Sequence, residues 1–235
     1  MARLLEEVPG VVLAVFAHPD DPDVAAGGTL ARWAAAGSEV HVCLCAEGDK
    51  GSLDPAADTA RLVERRRAET AEAGRILGVA RHHWLGFPDG GLEDGPELIG
   101  RIVEVVREVK PAAVVAPDPT AVFFGHTYVN HRDHRATGWA ALDAVSPAAS
   151  NPHYFPGRGL AHRVGEIYLA GTLEPDVWVD VSSTIEAKAA AIACHASQLG
   201  GAGEWLRGEV RRRAEDAGRE AGVAFAEAFR RVALA

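Results

Sequence analysis

Apolar positions in this chain fall in short unbroken runs separated by longer charged or amphipathic stretches. Val11-Val12-Leu13-Ala14-Val15-Phe16 is the first run, and Glu39 to Ala46, His82 to Leu85, Ala112 to Ala116, Glu166 to Ala170 and Val177 to Val181 follow. Runs this short and rich in β-branched residues predict buried strands. Between them, helices are expected from Gly27-Gly28-Thr29 through Ala36 with Gly37 as the stop, from near Ala57 to Leu77, and over Pro96 to Val109. Further helices are expected over Arg132 to Ala144 and Ser183 to Ser197, and a charged tail helix over Glu204 to Arg230. The alternation predicts an α/β fold: a Rossmann-like, mostly parallel sheet flanked by helices, in a single domain over 1–235 with 204–230 as its C-terminal helix. Ser146 to Gly159, rich in Pro, Gly and Asn, reads as a long loop that forms a rim or lid.

Composition narrows the picture. A chain of 235 residues with 48% hydrophobic and 24% charged positions suits one substantial globular domain. The net charge of -9 argues against general nucleic-acid affinity and against a polybasic membrane contact. The 3 cysteines, Cys43, Cys45 and Cys194, have no framework spacing and suggest reduced intracellular thiols. Cys43 and Cys45 share one strand face and read as small core residues. No apolar stretch approaches the ~20 residues of a membrane span, and the first residues lack the apolar segment of a signal peptide, so the expected location is the cytoplasm.

Candidate chemistry begins directly after the first apolar run, at Ala17-His18-Pro19-Asp20-Asp21. Open α/β sheets place their sites at the C-terminal ends of strands. Pro19 fixes φ, so the chain turns and polar side chains converge. A hydrolytic zinc site uses about three protein ligands and keeps one position for water, whose pKa it lowers towards about 7. His18 and Asp21 supply one nitrogen and one oxygen, and Asp20 is left beside them as a candidate base. A second cluster, His131-Arg132-Asp133-His134, can complete the set. His134 is our choice of third ligand, with Asp133 beside it to hold an imidazole in one tautomer. His131, three residues earlier, shares a helical face with His134. As an imidazolium it would stabilise an oxyanion or protonate a departing amine.

Each motif by itself also has an ordinary reading. His-Pro-Asp-Asp fits a turn whose Asp caps the next helix, and His-x-x-His fits a helix surface. His82 and His83 read as strand-edge residues, His126 as a structural or substrate-loop residue, and His153 and His162 fall in or near the long loop without assignment. The competing class is a nucleotide-binding module, since Gly27-Gly28 precedes a helix, but no G-x-G-x-x-G follows the first strand.

Five segments in order resemble the LmbE-like (PIG-L) deacetylases, metal hydrolases that usually remove acetyl from an N-acetylglucosamine unit. They are Ala17 to Asp21 with Gly27-Gly28-Thr29; Arg66-x-x-Glu69; Leu85-Gly86-Phe87-Pro88-Asp89-Gly90-Gly91; Asn130-His131-Arg132-Asp133-His134-Arg135; and Lys188 with His195-Ala196-Ser197-Gln198. The resemblance implies zinc, or another divalent metal, on His18, Asp21 and His134, with Asp20 as general base and His131 as partner of the oxyanion or leaving amine. It implies that Arg66 is a substrate-side or buttressing cation, although Arg66 and Glu69 also fit an intrahelical pair worth a few tenths of a kcal/mol. It implies that Asp89 lines the mouth or shapes a turn, and that His195 contacts the site or is structural. The implied partner is a small N-acyl sugar; a thiol conjugate, a lipid-linked sugar or an antibiotic intermediate are the alternatives. A homo-oligomer is the implied assembly. Many family members carry Glu directly after the Asp pair. Here Pro22 stands there with the shorter Asp23 next, a placement similar to the bacillithiol-type branch. The C-terminal third lacks the long extension of the mycothiol-pathway enzymes.

Overall fold

In the computed structural model, which describes residues 3–199 and 203–234, the elements run β1 (Val11–Phe16), α1 (Asp21–Ala35), β2 (Glu39–Ala46), α2 (Thr59–Leu77), β3 (Val79–Phe87), α3 (Pro96–Val109), β4 (Ala113–Pro117), β5 (Phe123–Phe124), β6 (Tyr128–Val129), α4 (Arg132–Asp143), β7 (Glu166–Ala170), β8 (Val177–Asp180), α5 (Ile185–Cys194), α6 (Ala196–Leu199), α7 (Gly203–Ala221) and β9 (Ala226–Ala233). Met1, Ala2 and Ala235, which the 1–235 expectation includes, lie outside the described residues, as do 200–202. Seven strands make one sheet in the order β3-β2-β1-β4-β7-β9-β8. β1 pairs in parallel with β2 and β4, β2 with β3, and β4 with β7, while β9 runs antiparallel to both neighbours. The chain leaves β1 in one direction towards β2 and β3, then returns to β4 on its other side. That reversal opens a crevice at the C-terminal ends of β1 and β4.

Side chains along β1 alternate between two buried layers, as strand geometry requires. Leu13 and Val15 pack with Ile102, Val106 and Ala140 on the face covered by α3 and α4. Val12, Ala14 and Phe16 pack with Leu30 and Trp33 of α1, and with Tyr168 and Phe229, on the other. Cys43 and Cys45 are buried in the first layer with free thiols, the expected core role. β3 is an edge strand, which places His82 and His83 where the sequence suggests. Among the described residues no helix is long and apolar enough to cross a membrane.

Several boundaries differ from expectation, three of them by about a turn of helix or more. α1 begins at Asp21 rather than Gly27, with Pro22 in its first turn, where a missing N–H costs nothing, and Asp21 and Asp23 beside the positive end of the helix. Gly27 and Gly28 serve packing instead: a Cβ on Gly28 would lie 2.9 Å from the Val181 side chain. The helix expected over Ser183 to Ser197 breaks at His195, whose ψ of 50° is not helical. The tail helix expected to Arg230 ends at Ala221; Gly222 turns the chain in the left-handed region (φ 76°), and Ala226–Ala233 enters the sheet as β9. There Glu227 accepts from the amides of Gly28 (3.0 Å) and Thr29 (2.7 Å) and pairs with the buried Lys188, tying the last strand to α1.

The long loop is fastened to α3. Arg107 is 2% exposed, and its guanidinium donates to the carbonyls of Ala148, Ala149, Asn151, Tyr154, Phe155 and Arg158 at 2.9–3.4 Å. Arg107→Leu strands these acceptors and is expected to cost about 3 kcal/mol, the upper end for hydrogen bonds to a charged group. Arg107→Lys is expected to recover only part, since an ammonium offers fewer donors in a different geometry. Urea midpoints at constant m-value measure both. An unshifted Arg107→Leu midpoint would refute the clamp.

Candidate active site

The turn after β1 and the start of α1 bring three polar side chains, His18, Asp20 and Asp21, into the crevice. The backbone N–H of His18 donates to Asp21 Oδ2 (2.7 Å), which folds the turn back on itself. Asp20 holds the N-cap position of α1 but makes no cap bond, so the reading of the motif as a capped turn fails. Its Oδ1 instead accepts from Arg66 Nη2 at 2.9 Å. Arg66 reaches in from α2, is 3% exposed, and also donates to the Gly48 carbonyl at 3.0 Å. Gly48 (φ 69°) permits this approach, since a Cβ there would lie 2.2 Å from Arg66 Nη1. The intrahelical Arg66–Glu69 pair, the ordinary alternative for Arg66, is not formed. Glu69 accepts from Arg65 and from the backbone and hydroxyl of Ser197, so two residues one turn apart fix different walls of the crevice.

Across the crevice, α4 delivers the second cluster. His18 Nδ1 lies 3.3 Å from His134 Nε2 and 3.3 Å from Asp21 Oδ2, and His134 Nε2 lies 3.1 Å from Asp21 Oδ1. Ligands about 2.0–2.2 Å from one tetrahedral cation stand roughly 3.3 Å apart, so this triangle of two imidazoles and a carboxylate fits a divalent metal. The opposite edge of His18 is filled: Nε2 lies 3.1 Å from Asp89 Oδ1 and 3.4 Å from Asp133 Oδ2. His18, Asp89 and Asp133 also form a group of close donors, as do His18, His131 and His134. A cation would fit on the Nδ1 side, because carboxylates that take the Nε2 proton leave the Nδ1 lone pair directed at Asp21 and His134.

Electrostatics agree with a cation site. Burial opposes a proton on His18, but the charge of Asp21 and hydrogen bonds to Asp133, Asp21 and Asp89 outweigh it and push the imidazole up to about 12. Burial likewise opposes charge on Asp21, yet His134 and His18 hold it well below the usual carboxylate range. Asp89 is lowered by its hydrogen bond to His18. His131 is different. Its Nδ1 accepts from the Asp133 N–H at 3.2 Å and caps α4, so the neutral ring carries its proton on Nε2. Burial and the charge of His18 lower its pKa, which favours the neutral ring over the expected imidazolium.

A cavity of about 240 Å³ opens over this cluster, lined by His18, Asp20, Asp21, Arg66, Asp89, His131 and His134, with Gly51, Tyr128 and Gln198 at its margin. The structure narrows or corrects three expectations here. Asp133, expected to hold an imidazole in one tautomer, stands 3.4 Å from His18 Nε2 rather than against its neighbour His134; it is fully buried and accepts from the amides of Gly90 (2.6 Å) and Leu92 (3.3 Å), and Nδ1 of His134 faces Asn130 Oδ1, at 2.9 Å. Of the two readings of His195, contact with the site or a structural role, the structure favours the second: it is 2% exposed, pairs with Asp23 at 2.6 Å beneath α1, and is absent from the cavity wall, where Gln198 of the same motif stands. The 146–159 loop contributes nothing to the wall. Tyr128 was missed because it sits on the β5–β6 hairpin, two two-residue strands without readable periodicity; His126, at the hairpin turn, is exposed. A nucleotide-binding module is disfavoured: Asp20 and Asp21 stand at the α1 N-terminus, where a phosphate would need to bind.

The comparisons with known proteins point to one family. Residues 13–145 match the family model described as PIG-L, GlcNAc-PI de-N-acetylase. Diacetylchitobiose deacetylase of Thermococcus kodakarensis is 32% identical over 192 residues, covering 80% of this chain and 70% of that protein. A 1D-myo-inositol 2-acetamido-2-deoxy-alpha-D-glucopyranoside deacetylase of Saccharopolyspora erythraea is 35% identical over 181 residues, covering 66% of this chain and 63% of that protein, so less than two thirds of its length is spanned. The structure of N,N'-diacetylchitobiose deacetylase from Pyrococcus horikoshii, complexed with its inhibitor MPG, aligns with a TM-score of 0.88 at 29% identity over 96% of this chain and 84% of that one.

Proposed function

This chain belongs to the PIG-L family of de-N-acetylases, and from that membership we propose that it hydrolyses the acyl amide of a small N-acylated amino sugar, with acetyl as the acyl group. The observation that carries the reading is the Asp20 carboxylate, held by Arg66, beside the open triangle of His18, Asp21 and His134. Those three residues would hold a divalent cation, zinc by the chemistry of two imidazoles and a carboxylate. The cation, when bound, supplies Lewis acidity to the amide carbonyl and makes water more acidic.

The chain's own groups do the rest. Asp20 accepts a proton from the attacking water, and the Arg66 bond fixes its orientation. As water oxygen adds to the carbonyl carbon, negative charge develops on the carbonyl oxygen, and the Nε2–H of His131 donates to it. Asp20 then returns the proton to nitrogen; the C–N bond breaks, giving a free amine and a carboxylic acid, whose remaining proton passes to the amine or to solvent to leave the carboxylate. The 240 Å³ cavity is smaller than a drug-sized pocket, which suits an acylamino group with one ring and leaves any further substituent outside. The cytoplasm, as the proposed location, accords with three free cysteines; a homo-oligomer is the proposed assembly.

The test is amine release from N-acetylhexosamines and N-acetylglucosaminyl conjugates, with and without chelator. Stoichiometric amine and acetate, lost to chelator and restored by zinc, is expected. Protein that retains one equivalent of zinc yet releases amine from none of them would overturn the reading.

A further inference from the structure

We propose that Asn130 is a positioning residue that sets the tautomer of His134 and anchors the hairpin carrying Tyr128, so that one amide links the metal-facing side of the crevice to its mouth. The proposal rests on the reading of His134 as a metal ligand. Asn130 is 7% exposed and lies between the hairpin and α4. Its Nδ2 donates to the Ala121 carbonyl (2.8 Å), its backbone N–H donates to the Val122 carbonyl (2.8 Å), and its Oδ1 faces His134 Nδ1 at 2.9 Å.

The direction of this chain of bonds follows from chemistry. A backbone carbonyl only accepts, so the amide nitrogen of Asn130 must face Ala121. Oδ1 then faces His134 and also only accepts, so Nδ1 of His134 must carry the proton. The Nε2 lone pair is thereby left pointing at Asp21, 3.1 Å away. A carbonyl of the segment leading into β5 thus determines which nitrogen of a histidine on α4 is free to ligate. The same amide holds the base of the hairpin, where Phe123 pairs with Val129 and Phe124 with Tyr128, and Tyr128 is the hairpin residue at the cavity margin.

Two substitutions separate the roles. Asn130→Asp keeps an acceptor for His134 but loses the donor to Ala121. It is expected to bind zinc at least as tightly as the parent and to raise KM more than it lowers kcat. Asn130→Ala loses both and is expected to weaken zinc by about 10- to 100-fold, the usual effect of removing a group that orients a ligating histidine. Zinc affinity is read by competition with a chromogenic chelator, independently of turnover, and thermal midpoints establish that each variant is folded. Parent-like zinc affinity in Asn130→Ala overturns the tautomer role. Equal zinc loss in Asn130→Asp and Asn130→Ala also overturns it, since the acceptor is then irrelevant. Parent-like KM in Asn130→Asp overturns the hairpin role. A parent protein that takes up no zinc instead refutes the ligand reading itself.

Discussion

Asp20→Asn is expected to lower turnover on an N-acetyl sugar by about 10²- to 10⁴-fold, the range for a positioned general base, while zinc content stays at the parent level. Asparagine is nearly the same size, and its carbonyl oxygen still accepts from Arg66 Nη2, so the 2.9 Å contact that orients residue 20 survives. The amide cannot take up a proton at neutral pH. The substitution therefore removes the proposed chemistry with little else. Asp20 also stands outside the triangle of His18, Asp21 and His134, whose contacts of 3.1–3.3 Å involve none of its atoms. Measured together, metal content and kcat/KM separate the possibilities. Near-full turnover would remove Asp20 from the mechanism, and loss of zinc would make it a ligand. The pairing of Asp20 with Arg66 makes one further demand on the geometry: the base must stay aimed at the cavity without substrate, which the bond from a 3% exposed guanidinium ensures.

Much of this was readable in the chain because the physics is local. Glu39–Ala46 and Glu166–Ala170 are strands with the expected bounds, and Pro96–Val109 is a helix with the expected bounds. The strands are short apolar runs buried in a parallel sheet, and the helix has Pro in its first turn. The His18 to Asp21 motif was legible because it follows such a strand directly. What escaped depends on distant partners. Ala226–Ala233 has the Ala, Glu and Arg composition of the helix before it, and becomes a strand by pairing with β7 and β8, although Gly222 was a stop signal in plain view. Glu227 is buried because Lys188 and two amides of α1 receive it, the amides 198 and 199 residues away. His195 and Gln198 lie in one motif, yet the break at His195 sends the first beneath α1 and the second to the cavity. The sequence places Asp133 beside His134, but α4 turns the carboxylate towards His18 and the loop at Gly90.

The cation itself offers the second large effect. Asp21→Ala and His134→Ala are each expected to weaken zinc by more than ~100-fold, beyond what loss of a supporting group produces, and to abolish turnover under conditions where the parent is saturated with metal. The pH dependence of binding follows from the same charges. His18 is pushed up to about 12, above its ordinary value of 6.5. A proton held there contributes to folding fully below pH 6.5, and that contribution is lost as pH rises through about 12. Zinc competes with this proton, so zinc affinity is expected to rise with pH over that window, and uptake at neutral pH is expected to release protons measurable on a pH-stat. His134, also raised once Asp21 outweighs the effect of burial, adds to the same trend. In Asp21→Ala, His18 loses its strongest favourable partner, so any residual zinc uptake should release fewer protons. Parent-like zinc affinity in either variant would end the ligand assignment, and zinc affinity that falls with rising pH would show that the cation does not displace a proton from this cluster.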